Sequence, residues 1–133
     1  MAFEFRIRVY WEDTDAGGIV FYANYLKFFE RARTEWLRSL GVGQQSLREA
    51  TGGIFVVGET SLRYHRPARL DDELLVSARI ETAGRASIVL AQQALLAADR
   101  ALLCDGTIRI GWVDAATLKP ARMPAYLLEA LKP

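Results

Sequence analysis

The sequence predicts an α+β fold in which a five-stranded antiparallel sheet wraps around one long central helix. Three observations predict it. Residues 3–11 alternate between apolar and polar, residues 24–40 form an amphipathic segment with helical spacing, and four further strand-like stretches follow. A chain of 133 residues fits one domain better than two, so we expect a single domain over residues 1–133.

The first strand is predicted from a period of two, which gives a strand one buried face. Its apolar side chains occupy the odd positions: Phe3, Phe5, Ile7, Val9 and Trp11. Residues 12–18 read Glu-Asp-Thr-Asp-Ala-Gly-Gly. Such clusters of acidic residues and glycine indicate a tight turn followed by a flexible step.

The central helix is predicted from Asn24 to Leu40, with Gly41 as its C-terminal cap. At about 1.5 Å per residue it is a rod of roughly 25 Å, which is large for this chain and must be covered by the sheet. Its apolar residues recur at three- and four-residue spacing: Tyr25, Phe28, Phe29, Ala32, Trp36, Leu37 and Leu40.

Four more strands and two short helices are predicted from turn residues that bound apolar stretches. Pro67 ends the second strand, Asp71-Asp72 and Asp99-Arg100 indicate turns, and Ala83-Gly84-Arg85 is typical of a hairpin. The predicted strands are 54–66, 74–81, 88–96 and 102–114, and the predicted helices are 45–50 and 124–131. An open sheet leaves edges that invite pairing, so we expect a homo-oligomer whose dimer-forming edge is the stretch from Phe55 to Tyr64.

Composition excludes several classes of protein. The net charge is +1 and the basic residues are scattered, so no nucleic-acid partner is expected. A single cysteine suits a reducing compartment, and the N-terminus lacks the apolar core of a signal peptide. The most apolar stretch, 86–104, is interrupted by Gln92, Gln93, Asp99 and Arg100 and cannot span a bilayer. We therefore expect a cytoplasmic protein.

Most chemistry-bearing residues outside the loop after the first strand have structural explanations. His65 is the one histidine, and no Gly-x-Ser-x-Gly motif accompanies it, so neither a catalytic triad nor a zinc site is expected. Cys104 is predicted to lie in the core. Gly41-Val42-Gly43 ends the helix, and residues 71–73 form a solvated turn. We expect no metal and no cofactor.

The segment from Tyr10 to Tyr25 carries three acids, two glycines and five aromatic residues between a strand and a helix. Composition alone favours a structural reading, in which the acids shape a turn and cap the helix. The segment also resembles the active-site signature of the 4-hydroxybenzoyl-CoA thioesterase group of hotdog proteins, D-x-D-x-x-G-x-V-x-x-x-x-Y. The positions that match are Asp13, Asp15, Gly18, Val20 and Tyr25.

A nearer resemblance is to the Tol-Pal-associated (YbgC-type) acyl-CoA thioesterase branch, over residues 8–18, 24–27, 30–38 and 67–72. It implies the hotdog fold and a catalytic carboxylate at Asp15, acting as general base or nucleophile. The backbone N–H groups of Phe21 and Tyr22 would polarise the thioester carbonyl, while Asp13 and Thr14 hold the loop, supported by Gly18 and Tyr25. Many members of the branch have His where this chain has Tyr22, so the role of that His does not carry over.

The resemblance implies an acyl-CoA or acyl carrier protein substrate and a homodimer or homotetramer with sites at the subunit interface. The phosphates of CoA bind cationic side chains, and the candidates near strand ends are Arg63, Arg66, Arg69 and Arg85.

Two other functions fit the predicted fold. An acyl dehydratase would place a His near the central helix, and residues 19–40 contain none. A non-catalytic acyl-binding or scaffold protein would have a similar apolar pocket, although the two acids of the signature disfavour it. Release of free thiol from acyl-CoA separates these alternatives.

Overall fold

The computed structural model describes residues 3–132, and the predicted architecture is confirmed: five antiparallel strands and one long helix. The strands occur in the order β1-β3-β4-β5-β2, so β1 and β2 are the two edges. The elements are β1 (Phe3–Arg8), α1 (Tyr25–Ser39), α2 (Gln44–Thr51), β2 (Gly53–Tyr64), β3 (Glu73–Ala83), β4 (Ser87–Leu96), β5 (Leu102–Asp114) and α3 (Ala125–Ala130).

The prediction that the first strand continues to residue 11 is wrong. β1 ends at Arg8, and a single 3₁₀ turn forms at Trp11–Asp13. Val9 still exchanges backbone hydrogen bonds with the 71–72 turn, but Trp11 is 81% exposed. The alternation of apolar and polar residues reaches Trp11, but strand pairing with β3 stops at Arg8, opposite Glu73.

The connections follow the turn residues. β3 and β4, and β4 and β5, form consecutive antiparallel pairs, whereas β2 pairs with β5 at the far edge. Gly41 ends the helix in the left-handed region at φ 82°, as predicted for a C-terminal cap. Gly106 allows β2 and β5 to approach, because a Cβ there would lie 2.0 Å from the carbonyl oxygen of Ser61.

The core lies between α1 and the inner face of the sheet, with buried side chains from β1, β3, β4 and β5. α1 packs on β1 and β3, and its fully buried Phe28 and Phe29 meet apolar side chains that point inward from the strands. Burying one such side chain stabilises the fold by roughly 1.5–3 kcal/mol. Cys104 is buried in this core as predicted, and burial raises the pKa of its thiol to about 12. No helix among residues 3–132 is long and apolar enough to cross a membrane.

A cluster of polar contacts around the buried Gln92 side chain holds α1 on the sheet. The amide of Gln92 on β4 donates to the carbonyl oxygens of Phe29 (3.1 Å) and Ser77 (3.0 Å). The guanidinium of Arg33 on α1 donates to Gln92 Oε1 at 3.0 Å, and burial lowers the pKa of Arg33. These contacts help to fix the position of the helix along the strands.

The half of the sheet that ends at the edge strand β2 is partly uncovered. Val56 and Val57 on β2 are 37% and 52% exposed. A groove of about 660 Å³ runs between α1 and this half and is lined on its apolar side by Leu26, Val57 and Ile108. The flank of α1 that lines this groove and the β2 edge beside it are therefore available for contact.

Candidate active site

Asp13 is the anchor of the loop between β1 and α1. Its carboxylate is 2% exposed and accepts hydrogen bonds from the backbone N–H of Tyr10 (2.8 Å) and the side-chain amide of Asn24 (2.8 Å). Its own carbonyl oxygen accepts the N–H of Phe21 at 2.9 Å. One residue therefore ties together the end of β1, the loop and the start of the helix.

Asn24 is a site residue that the sequence motif does not include. It lies 6% exposed at the end of a single 3₁₀ turn, Tyr22–Asn24, that leads directly into α1. An amide buried with a carboxylate satisfies both groups without a second charge. Its position could have indicated this role, because an amide side chain at the start of the helix can donate a hydrogen bond to one of the two acids of the preceding loop.

Asp15 has the opposite environment two residues later. Its side chain is exposed, and its Oδ1 accepts one hydrogen bond, from the N–H of Gly17 at 2.8 Å. Its Oδ2 accepts none from residues 3–132. The backbone around it is fixed, because Asp15 N–H donates to Ile19 (2.9 Å) and Gly18, in the left-handed region at φ 77°, donates to Asp15 O (3.0 Å). A carboxylate on a rigid loop thus keeps one oxygen free.

The N–H groups at the start of the helix are not all available. The Phe21 N–H donates to the Asp13 carbonyl, so the expectation that it would polarise a substrate carbonyl is corrected: this donor is already used. No acceptor among residues 3–132 bonds the N–H groups of Tyr22 and Ala23. Unpaired N–H groups at a helix start favour negative charge nearby.

A cavity of about 290 Å³ lies beside this helix start. Aromatic rings form much of its wall, since the rings of Tyr22 and Tyr25 both pack edge-on against Tyr64, with centroids 6.3 Å and 5.7 Å away. The buried Tyr25 hydroxyl accepts the N–H of Ala68 at 3.3 Å, and burial raises its pKa. The lining residues are Ile19, Val20, Tyr22, Tyr25, Tyr64, His65, Arg66 and Pro67.

The structure does not bring the four predicted arginines together. Arg66 lines the cavity beside the helix start, and Arg69 pairs with Ile19 through an isolated β-bridge next to the loop. Arg63 lines a different, polar depression of about 420 Å³ formed by four strands. Arg85 lies in the β3–β4 turn, at the opposite end of the sheet from Tyr64. Of these four arginines, Arg66 and Arg69 lie near the loop that carries Asp15.

Thr14 and His65 both make structural contacts. The Thr14 hydroxyl donates to Trp11 O at 3.0 Å, which closes the 3₁₀ turn. The Nε2 of His65 lies 2.7 Å from Asp105 Oδ1, so this histidine has a side-chain partner of its own on β5.

The sequence matches the thioesterase-like superfamily over residues 9–131. It is 43% identical to the acyl-CoA thioesterase YbgC of Haemophilus influenzae over 122 residues, covering 92% of this chain and 88% of the relative. It is 39% identical to the acyl-CoA thioester hydrolase YbgC of Escherichia coli O157:H7 over 130 residues, covering 98% and 96%.

Structural comparison agrees with the sequence matches. A probable thioesterase from Bartonella henselae superimposes with a TM-score of 0.86 at 32% identity, covering 93% of this chain and all of the other. Together with the five-stranded sheet and its single long helix, these matches show that the chain belongs to the thioesterase-like superfamily, as a hotdog-fold thioesterase of the YbgC type.

Proposed function

We propose that the chain hydrolyses the thioester of an acyl-CoA to a free acid and a thiol, with Asp15 as the catalytic carboxylate. The observation that carries the proposal is the loop geometry: buried Asp13 holds the loop rigid, while Asp15 keeps Oδ2 free on the same loop, which leads to the unpaired N–H groups at the start of the helix. The names of the YbgC relatives support the same chemistry.

A thioester needs little catalytic machinery. Its leaving group is a thiol with a pKa of about 8.5, far below that of an alcohol, so no dedicated general acid is required. The negative charge that develops on the carbonyl oxygen is stabilised by an aimed N–H donor, here that of Tyr22. Asp15 then either removes a proton from the attacking water or attacks the carbonyl itself to form a mixed anhydride.

Labelled water separates these two routes. In a single turnover in H₂¹⁸O, a general base leaves the label only in the product acid. Water that attacks the enzyme carbonyl of a mixed anhydride leaves the label in the Asp15 side chain. Mass analysis of the peptide that contains residue 15 therefore identifies the nucleophilic route when the label appears there.

Thiol release from a panel of acyl-CoAs tests the function itself. Purified protein is mixed with short, long and aromatic acyl-CoAs and with acyl carrier protein thioesters, and free thiol is followed with a thiol-reactive dye. We expect turnover of at least one CoA thioester. Binding of acyl-CoA without thiol release across the whole panel would instead favour a non-catalytic acyl-binding protein. We place the reaction in the cytoplasm, in keeping with the free thiol of Cys104.

We further propose that a second copy completes the site by pairing along β2. Asp15 is exposed on the single chain, whereas thioester chemistry gains from exclusion of bulk water. β2 is an edge strand with exposed Val56 and Val57, and the groove between it and α1 is uncovered. Covering this surface with the same surface of a partner buries both, as a twofold interface requires.

Val57→Lys tests this assembly, with Leu118→Lys as the control at an exposed apolar side chain outside β2. We expect light scattering to find a dimer or tetramer for the parent and control and a monomer for Val57→Lys, whose turnover falls with dissociation. A Val57→Lys monomer with full turnover would show that one chain suffices.

A further inference from the structure

We propose that Tyr64 is a positioning residue for the carbonyl-binding amides and that the N–H of Ala23 is their second member. The proposal rests on the thioesterase function above and adds a residue 42 positions away from the helix start. Tyr64 is the last residue of β2, and its hydroxyl donates to the carbonyl oxygen of Tyr22 at 2.9 Å.

The ring of Tyr64 is held in place although it is 49% exposed. It packs edge-on against Tyr25 (5.7 Å between centroids, 64° between planes) and Tyr22 (6.3 Å, 79°). Aromatic pairs prefer such edge-to-face geometry. The desolvation that accompanies this packing raises the pKa of the Tyr64 hydroxyl, so it remains a protonated donor at neutral pH.

The hydrogen bond fixes one whole peptide unit. All peptide bonds in the described chain are trans, and in a planar trans peptide the N–H points away from the C=O. Holding the Tyr22 carbonyl therefore also holds the Ala23 N–H. The preceding peptide is held in the same way, because the Phe21 carbonyl accepts the Asn24 N–H at 2.8 Å. The unpaired N–H groups of Tyr22 and Ala23 thus belong to two adjacent peptides, each fixed through its carbonyl.

Two fixed donors suit an oxyanion better than one, since charge stabilisation depends on donors that need no reorganisation during the reaction. Without Tyr64, the Tyr22–Ala23 peptide sits in a terminal 3₁₀ turn, and helix ends fray. Removing a direct oxyanion donor lowers turnover by about 10²–10³-fold. Removing a residue that only orients the donor costs less, and we expect about a tenfold loss.

The placement of Tyr64 also connects the site to the sheet edge. The same strand carries Val56 and Val57, which we propose to lie in the subunit interface. The strand that binds the second copy therefore also holds the peptide that binds the substrate carbonyl. Assembly and the geometry of the amides are coupled through one element.

Tyr64→Phe tests the proposal because it removes only the hydroxyl, and Tyr126→Phe is the matched control at an exposed tyrosine of α3. We expect Tyr64→Phe to lower kcat about tenfold with KM and the thermal midpoint unchanged, and the control to match the parent. The shape of the pH profile should also be unchanged, because an orienting phenol does not exchange protons with the substrate. Unchanged kcat, or a loss confined to KM, would overturn the proposal.

A pair of inhibitors gives a second readout. A thioether of CoA lacks the carbonyl, whereas the ketone analogue, with a methylene inserted between sulfur and carbonyl, keeps it. We expect Tyr64→Phe to weaken the ketone several-fold and to leave the thioether unchanged; equal effects on both would overturn the role. If the parent releases no thiol, the proposed function fails. If the parent is active and Asp15→Asn is not, while Tyr64→Phe equals the parent, only the present inference fails.

Discussion

The two acids of the active-site loop differ in almost every physical respect although one residue separates them. Asp13 is buried and uses both carboxylate oxygens to hold the backbone of Tyr10 and the side chain of Asn24. Asp15 is exposed and keeps one oxygen free. A rigid anchor next to an unoccupied carboxylate is what a catalytic loop requires, since the reactive group is positioned without being consumed by structural bonds. We therefore expect substitution of Asp15 to reduce mainly turnover and substitution of Asp13 to reduce mainly stability.

The largest expected effect is on catalysis at Asp15. Asp15→Asn keeps the shape of the side chain and removes its ability to accept a proton or attack a carbonyl. We expect turnover of acyl-CoA to fall by ~10³ or more, equivalent to about 4 kcal/mol of transition-state stabilisation, with an unchanged thermal midpoint. A variant that turns over as fast as the parent would remove Asp15 from the mechanism.

The next effect is on stability at Asp13. Asp13→Ala leaves two donors without their acceptor, those of Tyr10 and Asn24, and each unsatisfied buried group costs about 1–3 kcal/mol. We expect the free energy of unfolding in urea to fall by about 3 kcal/mol, with the exposed Glu12→Ala as a control that changes little. Asp13→Asn should reduce turnover less than Asp15→Asn, and an equal loss would mean that the two acids act together.

A smaller effect is expected at Asn24. Asn24→Ala removes one of the two donors to the Asp13 carboxylate and leaves the backbone donor in place. We expect a loss of about 1–2 kcal/mol in unfolding free energy and a modest loss of turnover through the loop. Stability equal to that of the parent would show that Asp13 is anchored by Tyr10 alone.

The smallest effect is expected at Cys104, which defines the background of the thiol assay. Burial raises its pKa to about 12, so at pH 8 only about one thiol in 10⁴ is ionised, and the thiolate is the reactive form. The reactivity of the Cys104 thiol in native protein should therefore increase as the pH rises toward 12. We expect native protein to resist iodoacetamide at pH 8 and urea-unfolded protein to react. Rapid labelling of native protein would contradict the buried placement.

Patterns confined to neighbouring residues predicted most of the fold. The period of two gave the strands, and the spacing of Phe28, Phe29 and Leu37 gave the helix, because burial on one face is visible in a single element. The end of β1 was mispredicted, since alternation reaches Trp11 while strand pairing stops at Arg8. Pairing is decided by a partner strand that the local pattern does not contain.

Predictions for the site were limited for the same reason. The resemblance identified the acids of the loop, but it could not tell that the Phe21 N–H is used by Asp13. Neither Tyr64, which contacts Tyr22 from 42 residues away, nor Gln92, which contacts Phe29 from 63 away, has a local signal. Contacts of this separation exist only once the sheet has closed on the helix.

Single-turnover hydrolysis, with enzyme in excess over one acyl-CoA, tests the role of Asp15 most directly because it isolates chemistry from product release. We expect a rate constant at least about 10³-fold lower for Asp15→Asn than for the parent, with Asp13→Asn between them. Equal rate constants for the parent and Asp15→Asn would contradict it.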